Sequence, residues 1–191
     1  MVPMLSISLS RDDKEILLDV ARQSITYGLE YGKPLPVDVE SYSSHLQEER
    51  ASFVTLNQKG ELRGCIGALQ AHRPLVSDVA EHAFEAAFHD PRFAPVSARE
   101  APLLDIHISV LGSPCTLKFD SEEDLVAQLR PGIDGLIVEE GPCRGTFLPS
   151  VWASLPDPQE FLCHLKLKAG LPANYWSETI KVSRYETLAF P

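Results

Sequence analysis

No apolar run in this 191-residue chain approaches the ~20 residues a helix needs to cross a bilayer, so a helical membrane span is not expected. Nor is there a C-x-x-C pair, because Cys65, Cys115, Cys143 and Cys163 stand far apart. Without paired ligand spacing no zinc site is expected, and such isolated cysteines read as reduced thiols rather than a disulfide framework. Basic residues are the minority, 17 Lys and Arg against 27 Asp and Glu, and they form no cluster longer than isolated pairs. The resulting net charge of -10 opposes any binding mode that needs broad neutralisation of phosphates, so no nucleic-acid partner is expected. P-loop and dinucleotide fingerprints are also missing, and no cofactor is implied. The first residues, Met1-Val2-Pro3-Met4-Leu5, lack the cationic flank and apolar core of a signal peptide, and a cytoplasmic location is expected.

What is present is ordinary for a globular chain: 44% hydrophobic and 23% charged residues, enough length to bury a core, and most economically one domain over 1–191. Ser10-Arg-Asp-Asp13 resembles a capping box, and Leu17, Val20, Ala21, Ser24, Tyr27 and Tyr31 recur at helical spacing, predicting a helix over 10–31. Ala51 to Leu56 reads as a strand, Asn57 to Gly60 as a turn, and Glu61 to Leu69 as the returning strand. A second helix follows Pro74, with Val76, Val79, Ala83, Ala86 and Ala87 on its apolar face, and stops at Asp90-Pro91. Leu104 to Val110 alternates as a strand, and Ser121 starts a short helix. Gly135 to Glu139 reads as a strand, Gly141 to Gly145 as a tight turn, and Thr146 to Leu148 as its antiparallel partner. Asp157-Pro158-Gln-Glu160 opens a helix that ends at Gly170, and Thr179 to Tyr185 is the last strand. About four helices and six strands, hairpins dominating, predict an α+β fold with mostly antiparallel sheets. Hairpin followed by helix occurs in 51–90 and again in 134–169, an echo that fits duplicated subdomains or coincidence.

The most informative stretch is Leu62-Arg63-Gly64-Cys65-Ile66-Gly67. Glycine weakens a strand and marks a bulge or a close backbone approach, so two of them around a cysteine point to a site. Arg63, at i−2, shares a face with Cys65 in an undistorted strand and is suited to grip a carboxylate or phosphate. A thiolate beside a cation is a nucleophile, whereas a free cysteine without such a role is usually a small buried hydrophobe.

The same residues resemble the signature of the AMMECR1 family. The match extends in order to Asp90-Pro-Arg-Phe93-Ala-Pro-Val96, Ile108-Ser-Val-Leu111, Thr146-Phe-Leu-Pro149 and Lys168-Ala-Gly-Leu171, spanning roughly 10–190. The resemblance implies an α+β fold of two unequal subdomains around a cleft that includes the cysteine motif. It also implies partners like those of the AmmeMemoRadiSam set, a Memo-like protein and a radical S-adenosylmethionine protein, and supplies no defined catalytic activity. Ser150 departs from it, since many relatives carry glutamine after Leu-Pro.

The candidate site therefore comprises Cys65 as nucleophile or ligand contact, with Arg63, Gly64, Gly67, Arg92, Glu139 and Thr146 as ligand-binding candidates. The ligand is a small molecule or peptide. Each has a plainer reading. Arg63 pairs with a local carboxylate such as Glu61, Arg92 satisfies carbonyls at a helix end, and Phe93 plugs the core. His107 on its alternating strand is a base for Cys65 or a solvent-facing residue, and Glu139 and Glu140 are an acid or base or an exposed hairpin end. Gly141 to Gly145 cradles an anion through its amides and Arg144, or is only a turn. His164, Lys166 and Lys168 read as a solvated helix face. The competing function is an adaptor whose cleft receives a partner and whose thiol is only packed.

Overall fold

A computed structural model describes residues 7–191, and the reading of Met1 to Leu5 lies outside the described residues. The chain forms two compact units, residues 112–187 and, among the described residues, 7–111 with 188–191. Both are α+β. No helix of the described residues is long and apolar enough to cross a membrane.

The larger unit begins with α1 (Arg11–Tyr31). Its capping box is complete: the Ser10 hydroxyl accepts the Asp13 amide at 3.0 Å and the Asp13 carboxylate accepts the Ser10 amide at 3.0 Å. Gly32, at φ 66°, ends the helix in the left-handed conformation. The buried stripe runs through Leu17, Val20, Ala21, Ser24, Ile25 and Gly28, whereas Tyr31 is exposed, its ring tilted against that of Tyr27 with centroids 4.4 Å apart. The one-turn α2 (Ser44–Gln47) precedes the hairpin of β1 (Ser52–Gln58) and β2 (Glu61–Gly67). Lys59 and Gly60, both at positive φ, make the two-residue turn that suits strand twist. The long α3 (Leu75–Phe88) buries the expected Val76, Val79, Ala83, Ala86 and Ala87. The sheet is completed by β3 (Asp105–Leu111) and β8 (Thr187–Phe190) in the order β2-β1-β3-β8, with β1 antiparallel to both β2 and β3.

Strand alternation gives this sheet two different faces. Val54, Leu56, Ile106, Ile108 and Val110 are buried in one core with α1 and α3, while Phe53, Thr55, His107 and Ser109 occupy the opposite face.

In the smaller unit β4 (Cys115–Thr116), β5 (Gly135–Glu140), β6 (Cys143–Phe147) and β7 (Lys181–Tyr185) form a sheet ordered β4-β7-β5-β6, covered by α4 (Glu122–Gln128) and α5 (Pro158–Lys168). Ser121 and Asp157 cap these helices by accepting the amides of Asp124 and Glu160. Only Gly141 and Pro142 form the β5–β6 turn, so Arg144 and Gly145 lie within β6 rather than in the longer turn expected from sequence. Lys166 also departs from expectation. It is fully buried, with Nζ 2.8 Å from Glu122 Oε1 and 5.6 Å from the Trp176 ring, while His164 and Lys168 are exposed.

The sequence echo has a topological counterpart. In each unit an antiparallel hairpin is followed by a helix and then by a strand that pairs antiparallel with the first arm of that hairpin. The second arms carry Arg63-Gly64-Cys65 and Arg144-Gly145-Thr146. In both, the glycine is where the strand meets its helix: a methyl at Gly64 would collide with the carbonyl of Ala86, and one at Gly145 with the backbone of Ala169. Gly67 is crowded by the Phe53 ring and the Ser52 carbonyl. Because backbone cannot step aside as a side chain can, Gly64→Val is expected to destabilise by at least about 2 kcal/mol. Cys65→Ser, on the half-buried opposite face, should change stability by less than about 1 kcal/mol. Urea unfolding of the two variants checks the ordering, and a Cys65→Ser protein that fails to fold would mark the sulfur as core.

Candidate functional site

The site grows from an unmet hydrogen-bonding requirement. Because β2 is an edge strand, the backbone groups of Cys65 that point away from β1 have no strand to pair with. The turn after α3 supplies both partners. Asp90, nearly fully buried, accepts the Cys65 amide through Oδ2 at 2.9 Å, and Arg92 Nη2 donates to the Cys65 carbonyl at 3.3 Å. The two side chains are bonded to each other, Arg92 Nε to Oδ1 at 2.9 Å and Nη2 to Oδ2 at 2.7 Å, the bidentate geometry that guanidinium and carboxylate favour. Asp90 also accepts the Arg92 amide at 3.1 Å, an Asx turn around Pro91. The Arg92 guanidinium first, then the Cys65 amide, hold the Asp90 carboxyl well below the usual carboxylate range, against the opposing effect of burial.

This clamp fixes the Cys65 peptide and leaves its side chain on the face away from the core. Cys65 is half-buried, and its Sγ lies 3.2 Å from Thr55 Oγ1, directly across the strand pair. Thr55 is in turn the register partner of His107 on β3. A thiol, a hydroxyl and an exposed imidazole thus occupy one row across β2, β1 and β3. His107 is two strand spacings, about 10 Å, from Cys65, too far for a direct hydrogen bond.

Arg63 is not placed as an undistorted strand would place it. The β1–β2 register passes from Leu56 opposite Gly64 to Asn57 opposite Leu62, leaving Arg63 without a partner in a β-bulge. The bulge removes the simple i−2 relation to Cys65. Arg63 Nε instead donates to Glu100 Oε1 at 3.0 Å, not to the local Glu61, and its guanidinium stands 6.0 Å from the centre of the Phe93 ring. Arg92 stands 5.4 Å from the same ring, so Phe93 is a half-buried platform for two cations rather than a core plug. Glu100 also accepts the amide and hydroxyl of Ser97, both at 2.8 Å. The Ser97 amide first, then Arg63, lower its pKa to about 2.

The larger unit therefore brings together Cys65, Arg63, Gly64, Gly67 and Arg92, with Arg92 rather than Arg63 at the Cys65 peptide. Glu139 and Thr146 belong to the smaller unit, each with partners there. Glu139 faces Arg144 at 3.3 Å, which leaves no amide cradle with a free arginine at the β5–β6 turn. The Thr146 hydroxyl donates to the Leu136 carbonyl at 2.8 Å and lies 3.1 Å from the hydroxyl of Tyr185, whose pKa burial pushes up to about 12. Glu140 Oε1 receives the hydroxyls of Thr179, Tyr175 and Ser177, which lower its pKa and tie the 175–179 segment to the strand end. Sequence reasoning missed Thr55 and Glu100. The Ser97-x-x-Glu100 spacing of a capping box was a usable signal for Glu100, whereas Thr55 required the strand register.

Fold and site together define an α+β protein that carries a backbone-clamped cysteine on a sheet face. A family model, AMMECR1, matches residues 18–190, and the chain belongs to that family. It is 39% identical over 186 residues to a protein of Methanothermobacter thermautotrophicus, covering 95% of each chain. Identity to a Methanocaldococcus jannaschii protein is 39% over 156 residues, 80% of this chain and 78% of the relative. The crystal structure of an uncharacterised Pyrococcus horikoshii protein superposes with a TM-score of 0.81 at 36% identity, covering 92% of this chain and 89% of that one.

Asp90 and Glu100 release protons more readily folded than unfolded, so their stabilisation is complete above the ordinary carboxylate pKa near 4 and is lost as pH falls toward their folded values. The urea midpoint should drop steeply between about pH 4 and pH 2. Glu100→Gln should show a smaller drop over the same interval. Asp90→Ala, which leaves the Cys65 amide without an acceptor, should destabilise by about 1–3 kcal/mol at pH 7 and accelerate hydrogen exchange at that amide. An unchanged exchange rate would show that Asp90 does not hold the strand.

Proposed function

We propose that this chain is the thiol-bearing component of a modification pathway shared with a Memo-like protein and a radical S-adenosylmethionine protein. Cys65 is its point of contact with substrate. Membership of the AMMECR1 family supports the pathway, and one observation carries the role of Cys65. Its amide and carbonyl are both held by the Asp90–Arg92 pair, a buried carboxylate and an exposed guanidinium, while its side chain is left off the core. A cysteine serving only as a small hydrophobe would sit among the aliphatic residues of the other face. Fixing the backbone fixes the direction of the Cα–Cβ bond, which is what a nucleophile or covalent tether needs in order to meet its target repeatedly in one geometry.

A second reading, the adaptor, has an observation of its own. The Thr55 hydroxyl is the only hydrogen-bond partner of Sγ among the described residues, with neither imidazole nor carboxylate in direct contact. In that reading the face receives a partner loop or peptide and the thiol contributes packing.

Reconstitution with the Memo-like and radical S-adenosylmethionine proteins of the same source separates the two. The pathway reading expects a complex with at least one of them. The thiol reading expects an intact-mass adduct on Cys65 that Cys65→Ser abolishes. Tight binding by Cys65→Ser, with no adduct on the wild type, establishes the adaptor. Failure to bind either protein removes the pathway reading.

A further inference from the structure

We propose that Cys65, Thr55 and His107 form a proton relay that generates a thiolate able to attack a soft carbon electrophile brought to this sheet face. The inference rests on Cys65 being a reactive thiol and goes beyond it by naming the base and the path to it.

Three observations carry the relay. The Thr55 hydroxyl is 3.2 Å from Sγ, within reach of a proton exchange in either direction. Thr55 and His107 are directly opposed in the β1–β3 register, and side chains on opposed positions share a face with Cβ atoms about 5 Å apart. No hydrogen bond joins Thr55 and His107 among the described residues, so the relay requires the imidazole to swing across that gap by rotation about χ1; His107 is exposed and has no hydrogen bond or ion pair among the described residues to hold it back. Without Thr55 the base cannot serve the thiol, because two strand spacings lie between them. The central strand places its hydroxyl midway.

The step balances without a co-reactant. As sulfur forms its bond to the electrophilic carbon, the thiol proton passes to Thr55 Oγ1 and the Thr55 hydroxyl proton passes to an imidazole nitrogen of His107. The leaving group departs with its electron pair. The charged groups around the row are few. Asp105, two residues from His107, shares its face of β3, and Arg92 stands at the Cys65 carbonyl. Glu100 and Asp90 face Arg63 and Arg92 respectively and do not contact Sγ.

Iodoacetamide is the probe: sulfur bonds to its methylene carbon and iodide leaves. Alkylation of Cys65 in the intact chain is followed by peptide mass mapping from about pH 6 to pH 9.5, with half-buried Cys163 as internal reference. Thr55→Val and His107→Asn are each expected to slow Cys65 alkylation at pH 7 by at least about tenfold, with the double variant no slower than either single one. Thr55→Ser should restore the rate. At about pH 9.5, where hydroxide removes the proton, all variants should converge on the wild type. Melting curves confirm that the variants remain folded. Equal rates for wild type and variants at pH 7 would overturn the relay while leaving the reactive thiol intact. A slowing that persists undiminished at high pH would assign Thr55 and His107 to packing and overturn it equally. If Cys65 reacts no faster than Cys163 in the wild type, both the relay and the reactive-thiol reading fall.

Discussion

An edge strand must answer for the backbone groups that no neighbour pairs, and in this protein the answer to that requirement organises the site. At Cys65 the amide and carbonyl of β2 turn outward and are met by Asp90 and Arg92, which are already bonded to each other. For the pair to be there, α3 must end at the right height beside the strand, and it can lie that close only because position 64 has no side chain. Gly64, the length of α3 and the Asx turn at Asp90-Pro91 are therefore parts of one constraint. Residues 62–67 and 90–93, separated in sequence, act as one structural unit. Covering the edge in this way also blocks another strand from adding to β2 at that point, so a ligand or partner meets the face of the sheet there rather than its rim.

The two units show how the same frame can be put to different uses. Both carry an Arg-Gly pair on the second arm of a hairpin, with the glycine pressed against a helix. The arginine finds a carboxylate in each, Glu100 for Arg63 and Glu139 for Arg144. The residue after the glycine differs. Thr146 bonds to the Leu136 carbonyl and approaches the buried Tyr185 hydroxyl, and so serves the fold. Among the described residues Cys65 offers its sulfur only to Thr55. Around it the charges pair, Arg92 with Asp90 and Arg63 with Glu100, and among the described residues the buried Arg63 Nη1 has no hydrogen-bond partner. The distinctive chemistry of this face lies in sulfur and its neighbours across the strands rather than in net charge.

Much of this frame was legible in the chain, and the parts that were not share a cause. Helix caps, the first hairpin, the stop at Asp90-Pro91 and the buried face of α3 follow from local rules, and the structure places them where those rules do. The one-turn α2, the two-residue β4 and the four-residue β8 were missed because they are too short to establish a period. Arg63 was misplaced because a bulge is set by how two strands register, which neither strand encodes alone. Lys166 was read as solvated because its helix position says nothing of Glu122 and Trp176, which reach it from other elements. At the site, Cys65 and its glycines stood out from sequence, while Asp90, Glu100 and Thr55 gained their roles only through tertiary contact.

The identity of Thr55 bears on what the face is for. A half-buried position on a central strand suits β-branched side chains generally, and valine fills the same volume without a hydroxyl that needs a partner. Among the described residues the hydroxyl finds only a thiol, a weak acceptor and a weak donor. Judged by stability alone the exchange is unfavourable or neutral, since removing an indifferently paired polar group from a partly buried site sacrifices little. The same hydroxyl becomes useful if protons must cross from β2 to β3, because no other side chain in the row stands between sulfur and imidazole. A residue whose polar atom does little for the fold, placed midway between a thiol and an imidazole, fits the proposed relay better than it fits packing.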